Sequence, residues 1–190
     1  MAVPDGHADQ VINAAATRPV RTARPEDLVA VLQVYAAESV PDGDSPREVS
    51  DLERQTWEQM MRSSGLTVYL AEVDEQVIGT ATLMVMPNLT YGCAPTAFVE
   101  AVVVAAAHRR KGIAAAIMRR LLGDARSAGC NKVQLLSHKR HATDGAHRLY
   151  TSLGFEPEAE GFRLYLQQVP AAVQAAKPAQ TSRHRAERRP

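Results

Sequence analysis

A carboxylate within an apolar strand and a basic loop that opens a helix lie close together in this 190-residue chain. The run Phe98–Val104 is apolar and largely β-branched apart from Glu100, and it precedes the cations Arg109–Lys111 and then Gly112. Burial in such a strand would make the Glu100 carboxylate more basic, which suits a general base. A helix that begins on small residues beside cations can hold phosphate oxygens. The pattern predicts an enzyme that uses a phosphorylated cofactor on a polar nucleophile.

Each of these features also has a purely structural interpretation. Glu100 could be a carboxylate held by backbone donors or an arginine, and the loop could cap a helix on a solvated surface. Three histidines, His138, His141 and His147, lack acidic or thiolate residues at ligand spacing, so the sequence predicts no metal site.

Hydrophobic periodicity predicts one mixed α/β domain over residues 20–167, between a flexible leader (1–19) and a disordered basic tail (168–190). Because strand side chains alternate, Val102 and Val104 are expected on the same face as Glu100. Helices are expected from Pro25, from a Ser45–Glu48 capping box, from Gly112, and over Thr143–Leu153. Strands are expected at 20–23, 67–72, 77–86, 96–104 and 132–136, with closing strands at Phe155 and 162–166.

Charge and composition argue against nucleic-acid or membrane binding by the molecule as a whole. The net charge is +1, and no apolar run approaches the length of a membrane span. The first residues lack the basic segment of a signal peptide, and Cys93 and Cys130 form no metal motif. We therefore expect free thiols in a cytoplasmic protein, with one disulfide as the alternative. The C-terminal arginines leave nucleic-acid or ribosome association as a separate hypothesis.

Three blocks of the chain resemble the GNAT superfamily of acetyl-CoA-dependent N-acetyltransferases. The family patterns are Val-Arg-x-Ala-x-x-x-Asp-Leu, Arg/Gln-x-x-Gly-x-Gly/Ala and Tyr-x-x-x-Gly-Phe. They match Val20–Leu28, Arg109–Ala114 and Tyr150–Phe155, in the family's order. The resemblance implies a central mixed sheet of about six to seven strands flanked by about four helices. The local sequence at 87–90, 98–100 and 129–133 resembles that of a bacterial subgroup similar to the glucosamine-phosphate N-acetyltransferases.

The resemblance also implies roles for residues. Glu100 is the expected general base, directly or through water, and Tyr150 is the expected general acid toward the CoA thiolate, with a core tyrosine as the alternative. The strand end would pair with pantetheine, and the loop would hold pyrophosphate. The residues expected to bind acetyl-CoA are Val102, Val103, Val104, Arg109, Arg110, Lys111, Gly112, Ile113, Ala114, Ala115, Thr143 and His147. Two departures are alanines at 114 and 115, where the family usually has glycine, and Thr143, where it often has asparagine.

The predicted function is transfer of an acetyl group from acetyl-CoA to the primary amine of a small molecule, by direct attack through a tetrahedral intermediate. Acetylation of a protein or peptide amine and a non-catalytic CoA-binding regulator are the alternatives. Ser137 and Arg140 would contact the acceptor, although Arg140 could equally be a solvated loop cation. The sequence does not identify the acceptor, and a homodimer is one option for the assembly.

Overall fold

Five strands form one mixed sheet in the computed structural model of the chain. The structure describes residues 19–39, 48–138, 145–162, 164 and 166. The strands are β1 (Val20–Thr22), β2 (Leu66–Val73), β3 (Gln76–Met86), β4 (Thr96–Val104) and β5 (Lys132–Leu135). They lie side by side in chain order, and all neighbours are antiparallel except β5, which runs parallel to β4.

Four α-helices accompany the sheet: α1 (Leu28–Ser39), α2 (Asp51–Arg62), α3 (Ile113–Ser127) and α4 (Ala146–Ser152). Single 3-10 turns lie at Pro25–Asp27, Tyr91–Cys93 and Ala106–His108. A parallel strand pair needs a crossover connection, and α3 supplies it between β4 and β5. The predicted mixed α/β fold with about four helices is confirmed, whereas the described sheet has five strands rather than six to seven.

The two faces of the sheet bury separate cores, which explains why the central strands are apolar on both sides. On the first face α3 packs Ile113, Ile117 and Leu121 against the sheet. On the second face Val31 of α1 and Trp57 of α2 pack against β2. We call these the α3 face and the α1 face.

Gly79 of β3 allows the first turn of α3 to lie close to the sheet. A Cβ at this position would be 3.0 Å from Ile113 Cγ2 and 3.1 Å from Ile117 Cδ1. Such distances are too short for relaxed packing, so a side chain here would displace the helix. The missing side chain therefore helps to set the position of the loop that precedes α3.

Arg21 of β1 joins the turn before α1 to β2. Its guanidinium donates to Asp27 Oδ2 at 2.6 Å, to Asp27 Oδ1 at 2.8 Å and to Glu72 Oε1 at 2.6 Å. Asp27 also accepts the Arg24 backbone N–H at 2.6 Å. The hydrogen bonds from Arg21 hold the pKa of the Asp27 carboxyl below its ordinary value.

The predicted start of α2 is wrong. Glu48 is not helical, Ser45 lies outside the described residues, and the helix begins at Asp51 after the N-cap Ser50. Ser50 Oγ accepts the Glu53 N–H, and Glu53 Oε2 accepts the Ser50 N–H at 2.9 Å. The chain contains two Ser-x-x-Glu patterns, and the second forms the capping box.

The chain divides into two units, residues 1–156 and 157–190. In the second unit the described positions 157–162, 164 and 166 contain no strand, and Phe162, Leu164 and Leu166 are exposed. The closing strand predicted at 162–166 is thus not found at these positions, and Phe155 in the first unit is also not a strand. The predicted leader (except residue 19) and the predicted tail lie outside the described residues.

Two expectations from composition bear on the described parts. Cys93 and Cys130 are both free thiols, as expected, and burial raises the pKa of the Cys130 thiol. None of the helices in the described ranges combines the length and the apolar content that crossing a bilayer would require.

Candidate functional site

The second half of β4 has no pairing partner on its β5 side among the described strands. Pairing between β4 and β5 ends at Val99–Leu135, whereas β4 continues to Val104. The next N–H along, from Ala105, donates to the Ile78 carbonyl of β3 at 2.9 Å. Because backbone groups of successive residues point to opposite strand edges, the Val104 groups point away from β3. The Val104 N–H therefore lies on an edge that no described strand covers.

A bulge at Ala101 interrupts β4 directly after Glu100. Glu100 pairs with Thr82, yet Val103 pairs with Thr80, so one residue of β3 faces two residues of β4. Ala101 has a φ of 52°, a left-handed conformation that costs a residue with a side chain about 1–2 kcal/mol. Strain of this kind is common where a backbone is shaped for function, and here it lies beside a carboxylate.

The bulge changes which side chains share a face with Glu100. Glu100 and Val103 oppose two threonines that lie two positions apart on β3, so both project from the α1 face. Val102 and Val104 pack against the core on the α3 face. The prediction that these two valines share a face with Glu100 is wrong, because simple alternation ignores the inserted residue. Glu100 is also exposed rather than buried, so the argument from burial loses its premise.

The loop after β4 passes through two left-handed residues before α3 begins. Arg110 has a φ of 62° and Gly112, the N-cap of α3, has a φ of 80°. Ala116 is the first residue to donate within the helix, to the Gly112 carbonyl at 3.0 Å, so the N–H groups of Ile113–Ala115 have no intrahelical acceptor. A Cβ at Gly112 would meet no atom within 4 Å. Three N–H donors and the positive end of the helix dipole thus border open space that suits an anion.

The cations of this loop are held in different ways. Arg109 Nε donates to the β4 carbonyl at residue 104 (3.1 Å), and Lys111 Nζ donates to the carbonyl of the preceding 3-10 turn (2.9 Å). The Arg110 guanidinium lies directly against Gly145, the N-cap of α4, where a Cβ would overlap it. Arg148 Nη2 is 3.6 Å from the same Cβ position. Arg148 is a cation that sequence reasoning missed, although it lies one turn after Gly145.

Helix α4 brings Tyr150 to the α3 face. The Tyr150 ring meets the Phe155 ring edge-on, with centroids 6.0 Å apart and an interplanar angle of 67°. Tyr150 packs against the same core as Val102 and Val104. Glu100 and Tyr150 therefore lie on opposite faces of the sheet.

The remaining predicted site residues are His147, Ser137, Arg140 and Thr143, and only the first two are described by the structure. His147 on α4 has a buried Nε2 with no hydrogen-bond partner in the described part of the chain. Ser137 follows β5 and is partly buried, whereas Arg140 and Thr143 lie outside the described residues. The helix predicted from Thr143 begins at Ala146. Within the described ranges, no group of three His, Cys, Asp or Glu residues could hold a metal ion.

A groove of about 910 Å³ lies near the C-terminal end of α3 and is lined in part by Tyr69, Leu83 and Asp124. Tyr69 Oη donates to Asp124 Oδ2 at 2.8 Å, and Arg120 Nε lies 3.1 Å from the same oxygen. Burial and the bond to Asp124 raise the pKa of Tyr69. These polar groups satisfy one another, and Asp124 is about 18 Å along α3 from Gly112. We therefore assign the groove no part in the chemistry.

Residues 29–155 match the Acetyltransferase (GNAT) family. The match includes β4, the loop at Gly112 and Tyr150. A curated relative, the glucosamine 6-phosphate N-acetyltransferase of Trypanosoma brucei brucei, is 31% identical over 109 residues, which cover 56% of this chain and 71% of the relative.

Solved structures share the fold. A candidate acetyltransferase from Agrobacterium tumefaciens str. C58 superposes with a TM-score of 0.68 at 31% identity, over 77% of this chain and 99% of that one. An aminoglycoside N-acetyltransferase solved in complex with CoA has a TM-score of 0.61 at 20% identity, over 80% of this chain and 95% of that one. At 20% identity the second likeness concerns the fold alone.

Proposed function

We propose that this chain, which belongs to the GNAT acetyltransferase family, transfers an acetyl group from acetyl-CoA to the primary amine of a small molecule. Family membership confirms the predicted family and the predicted class of enzyme. The observation that carries the finer proposal is one continuous stretch of chain. It runs from the exposed Glu100 through the bulge at Ala101 to Gly112 and the first N–H groups of α3, which have no intrahelical acceptor. One end offers a proton acceptor and the other offers an anion site.

The donor site is proposed on the α3 end of this stretch. The N–H groups of Ile113–Ala115 would bind pyrophosphate oxygens, and the open space before Gly112 leaves room for them. Arg110 and Arg148, which both border Gly145, add positive potential. The Val104 N–H on the uncovered strand edge would bind an amide oxygen of the pantetheine arm. The Val104 carbonyl already accepts a hydrogen bond from Arg109 Nε, which fixes the strand end to the loop.

The chemistry requires a proton to leave the amine and another to reach the sulfur. Acetyl-CoA supplies an activated thioester carbonyl when bound. Glu100 accepts a proton from the ammonium, directly or through water, and the neutral nitrogen then bonds to the carbonyl carbon. Backbone N–H groups at the bulge stabilise the oxygen that gains charge. As the carbon–sulfur bond breaks, Tyr150 donates its phenolic proton to the sulfur from the opposite face. The second proton, which the nitrogen loses as it becomes an amide, passes through water to the Tyr150 phenolate.

The acceptor is proposed as a small primary amine. The exposure of Glu100 gives a free amine direct access to the carboxylate. The curated relative is named for glucosamine 6-phosphate, which makes an amino sugar one candidate acceptor.

The proposal is tested by amine-dependent release of CoA from acetyl-CoA, measured with a panel of primary amines. Glu100→Gln is expected to lower kcat by about 100-fold or more, because general-base catalysis is worth that much. Tyr150→Phe should lower kcat with little change in KM for the amine. Glu26→Gln, a matched change at an exposed carboxylate before α1, serves as the control. Unchanged rates in both site variants would contradict the proposed mechanism.

A further inference from the structure

Glu100 stands on a sheet face that also carries a row of apolar side chains. On the α1 face Leu66 of β2 pairs with Met84 of β3, and Met84 pairs with Phe98 of β4. Phe98 lies two residues before Glu100 on the same strand, so the two side chains share a face. One such repeat is about 6–7 Å along a strand. The apolar row therefore begins within one small organic group of the proposed proton acceptor.

Part of this apolar surface is exposed. Met84 is 41% exposed and Met86, the next β3 residue on the same face, is 42% exposed, whereas β3 residues 78–83 are all buried. Phe98 is partly buried between them and β5. We call Met84, Met86 and Phe98 the methionine strip. Exposed, contiguous apolar surface marks interaction sites, and thioether side chains adapt to ligands of varied shape.

Two charged residues, Glu100 and Lys132, lie near opposite ends of the methionine strip. Glu100 places a carboxylate at one end, where it attracts an ammonium group. Lys132 of β5 pairs with Thr96, four residues and about 13 Å before Glu100. Its Nζ lies 5.1 Å from the centroid of the Tyr91 ring. Lys132 therefore marks the end of the strip away from Glu100, and its ammonium lies against an aromatic ring.

We infer that the acceptor is a primary amine that carries an aromatic or branched aliphatic group within a few bonds of its nitrogen. The ammonium contacts Glu100, and the apolar group lies on the methionine strip. This inference rests on the proposed function, since it takes Glu100 as the proton acceptor. It differs from that proposal in naming the class of acceptor, and it makes Met84 and Met86 determinants of specificity.

The test compares three acceptors with the full-length protein: 2-phenylethylamine, ethanolamine and glucosamine 6-phosphate. The expected kcat/KM for 2-phenylethylamine exceeds that for each of the others by about tenfold or more, the scale of a few buried methylene groups. Met84→Gln and Met86→Gln keep the length of the side chain and remove its apolar end. Each should lower the ratio of kcat/KM for 2-phenylethylamine to that for ethanolamine by about fivefold or more.

Val29→Gln is the matched control, because Val29 is 49% exposed on α1 and the change in polarity is the same. It should leave the ratio unaltered. A preference for glucosamine 6-phosphate, or an unaltered ratio in both methionine variants, overturns the inference while the proposed function stands. If wild type binds CoA and acetylates none of the amines, the proposed function fails and the inference fails with it. Two methionine variants are used so that poor folding of one leaves the comparison intact.

Discussion

Replacing Gly112 by alanine tests two roles of this residue separately. One is its left-handed backbone conformation, and the other is the open space that it leaves for an anion. Its φ of 80° is left-handed, and an alanine there costs about 1–2 kcal/mol in backbone strain. Alanine also lowers the conformational entropy of the unfolded chain, which stabilises the folded state by about 0.4–1 kcal/mol. Since no atom lies within 4 Å of the new Cβ, no steric clash adds to this. We expect a net loss of about 1 kcal/mol in the free energy of unfolding.

The effect on CoA binding should be larger than the effect on stability. The Cβ would occupy part of the open space at Gly112, beside which the pyrophosphate is proposed to lie. Loss of one hydrogen bond to a charged group costs about 1.5–3 kcal/mol. At about 1.4 kcal/mol for each factor of ten, CoA should bind about 10- to 100-fold more weakly.

Gly129 provides a matched control beyond the far end of α3. Its φ is 72°, and a Cβ there would also meet no atom within 4 Å. Gly129→Ala should therefore lose a similar amount of stability in urea denaturation and keep wild-type affinity in isothermal titration with CoA. If Gly112→Ala binds CoA as tightly as Gly129→Ala does, the pyrophosphate does not lie at this loop and the reasoning is refuted.

Three further predictions concern stability, measured by chemical denaturation. Thr80 Oγ1 is buried without a partner in the described part of the chain, whereas Thr96 Oγ1 accepts Asn88 Nδ2 at 3.0 Å. Thr80→Val should thus stabilise the protein and Thr96→Val destabilise it, each by about 1 kcal/mol, and the reverse order would contradict this account. Asp27→Asn should cost about 1.5–3 kcal/mol. Because the pKa of Asp27 is lowered below 3.8 on folding, this difference is full above about pH 5 and shrinks as the pH falls below about 4; a difference constant down to pH 2 would rule out the Arg21 pair as its source. Gly79→Ala should cost about 1–3 kcal/mol through the 3.0 Å contact with α3, and wild-type stability would mean that α3 shifts freely.

Local patterns predicted much of the donor side of the molecule. Apolar residues at Ile113, Ile117 and Leu121 repeat at helical spacing, and they form the buried face of α3. Gly112 marked the start of that helix, because a small residue beside cations is a signal within a few positions of sequence. The family blocks correctly indicated the family, which the match over residues 29–155 confirms.

The geometry around Glu100 could not be predicted in the same way. The bulge at Ala101 depends on how β4 pairs with β3, and pairing is a property of two strands rather than of one. A period of two therefore placed Val102 and Val104 on the wrong face. The start of α2 was missed because the chain contains two Ser-x-x-Glu patterns, and the local sequence does not show that the second one, at Ser50, forms the capping box.

Contacts between distant segments gave no signal in the sequence. Arg110 lies against Gly145, and Tyr69 Oη bonds Asp124, across 35 and 55 positions respectively. Neither pair has a spacing that local rules recognise. Such pairs depend on the finished topology, in which α3 crosses the sheet and α4 follows β5.

The central claim is that the acetyl group passes to an amine, and the ratio of products tests it most directly. Wild-type protein is supplied with acetyl-CoA and a primary amine, and the CoA thiol and the N-acetylated amine are quantified together by mass spectrometry. We predict one acetylated amine for each CoA released, with both products reduced in parallel in Glu100→Gln. Release of CoA without an acetylated amine, or equal yields from wild type and Glu100→Gln, would contradict the account.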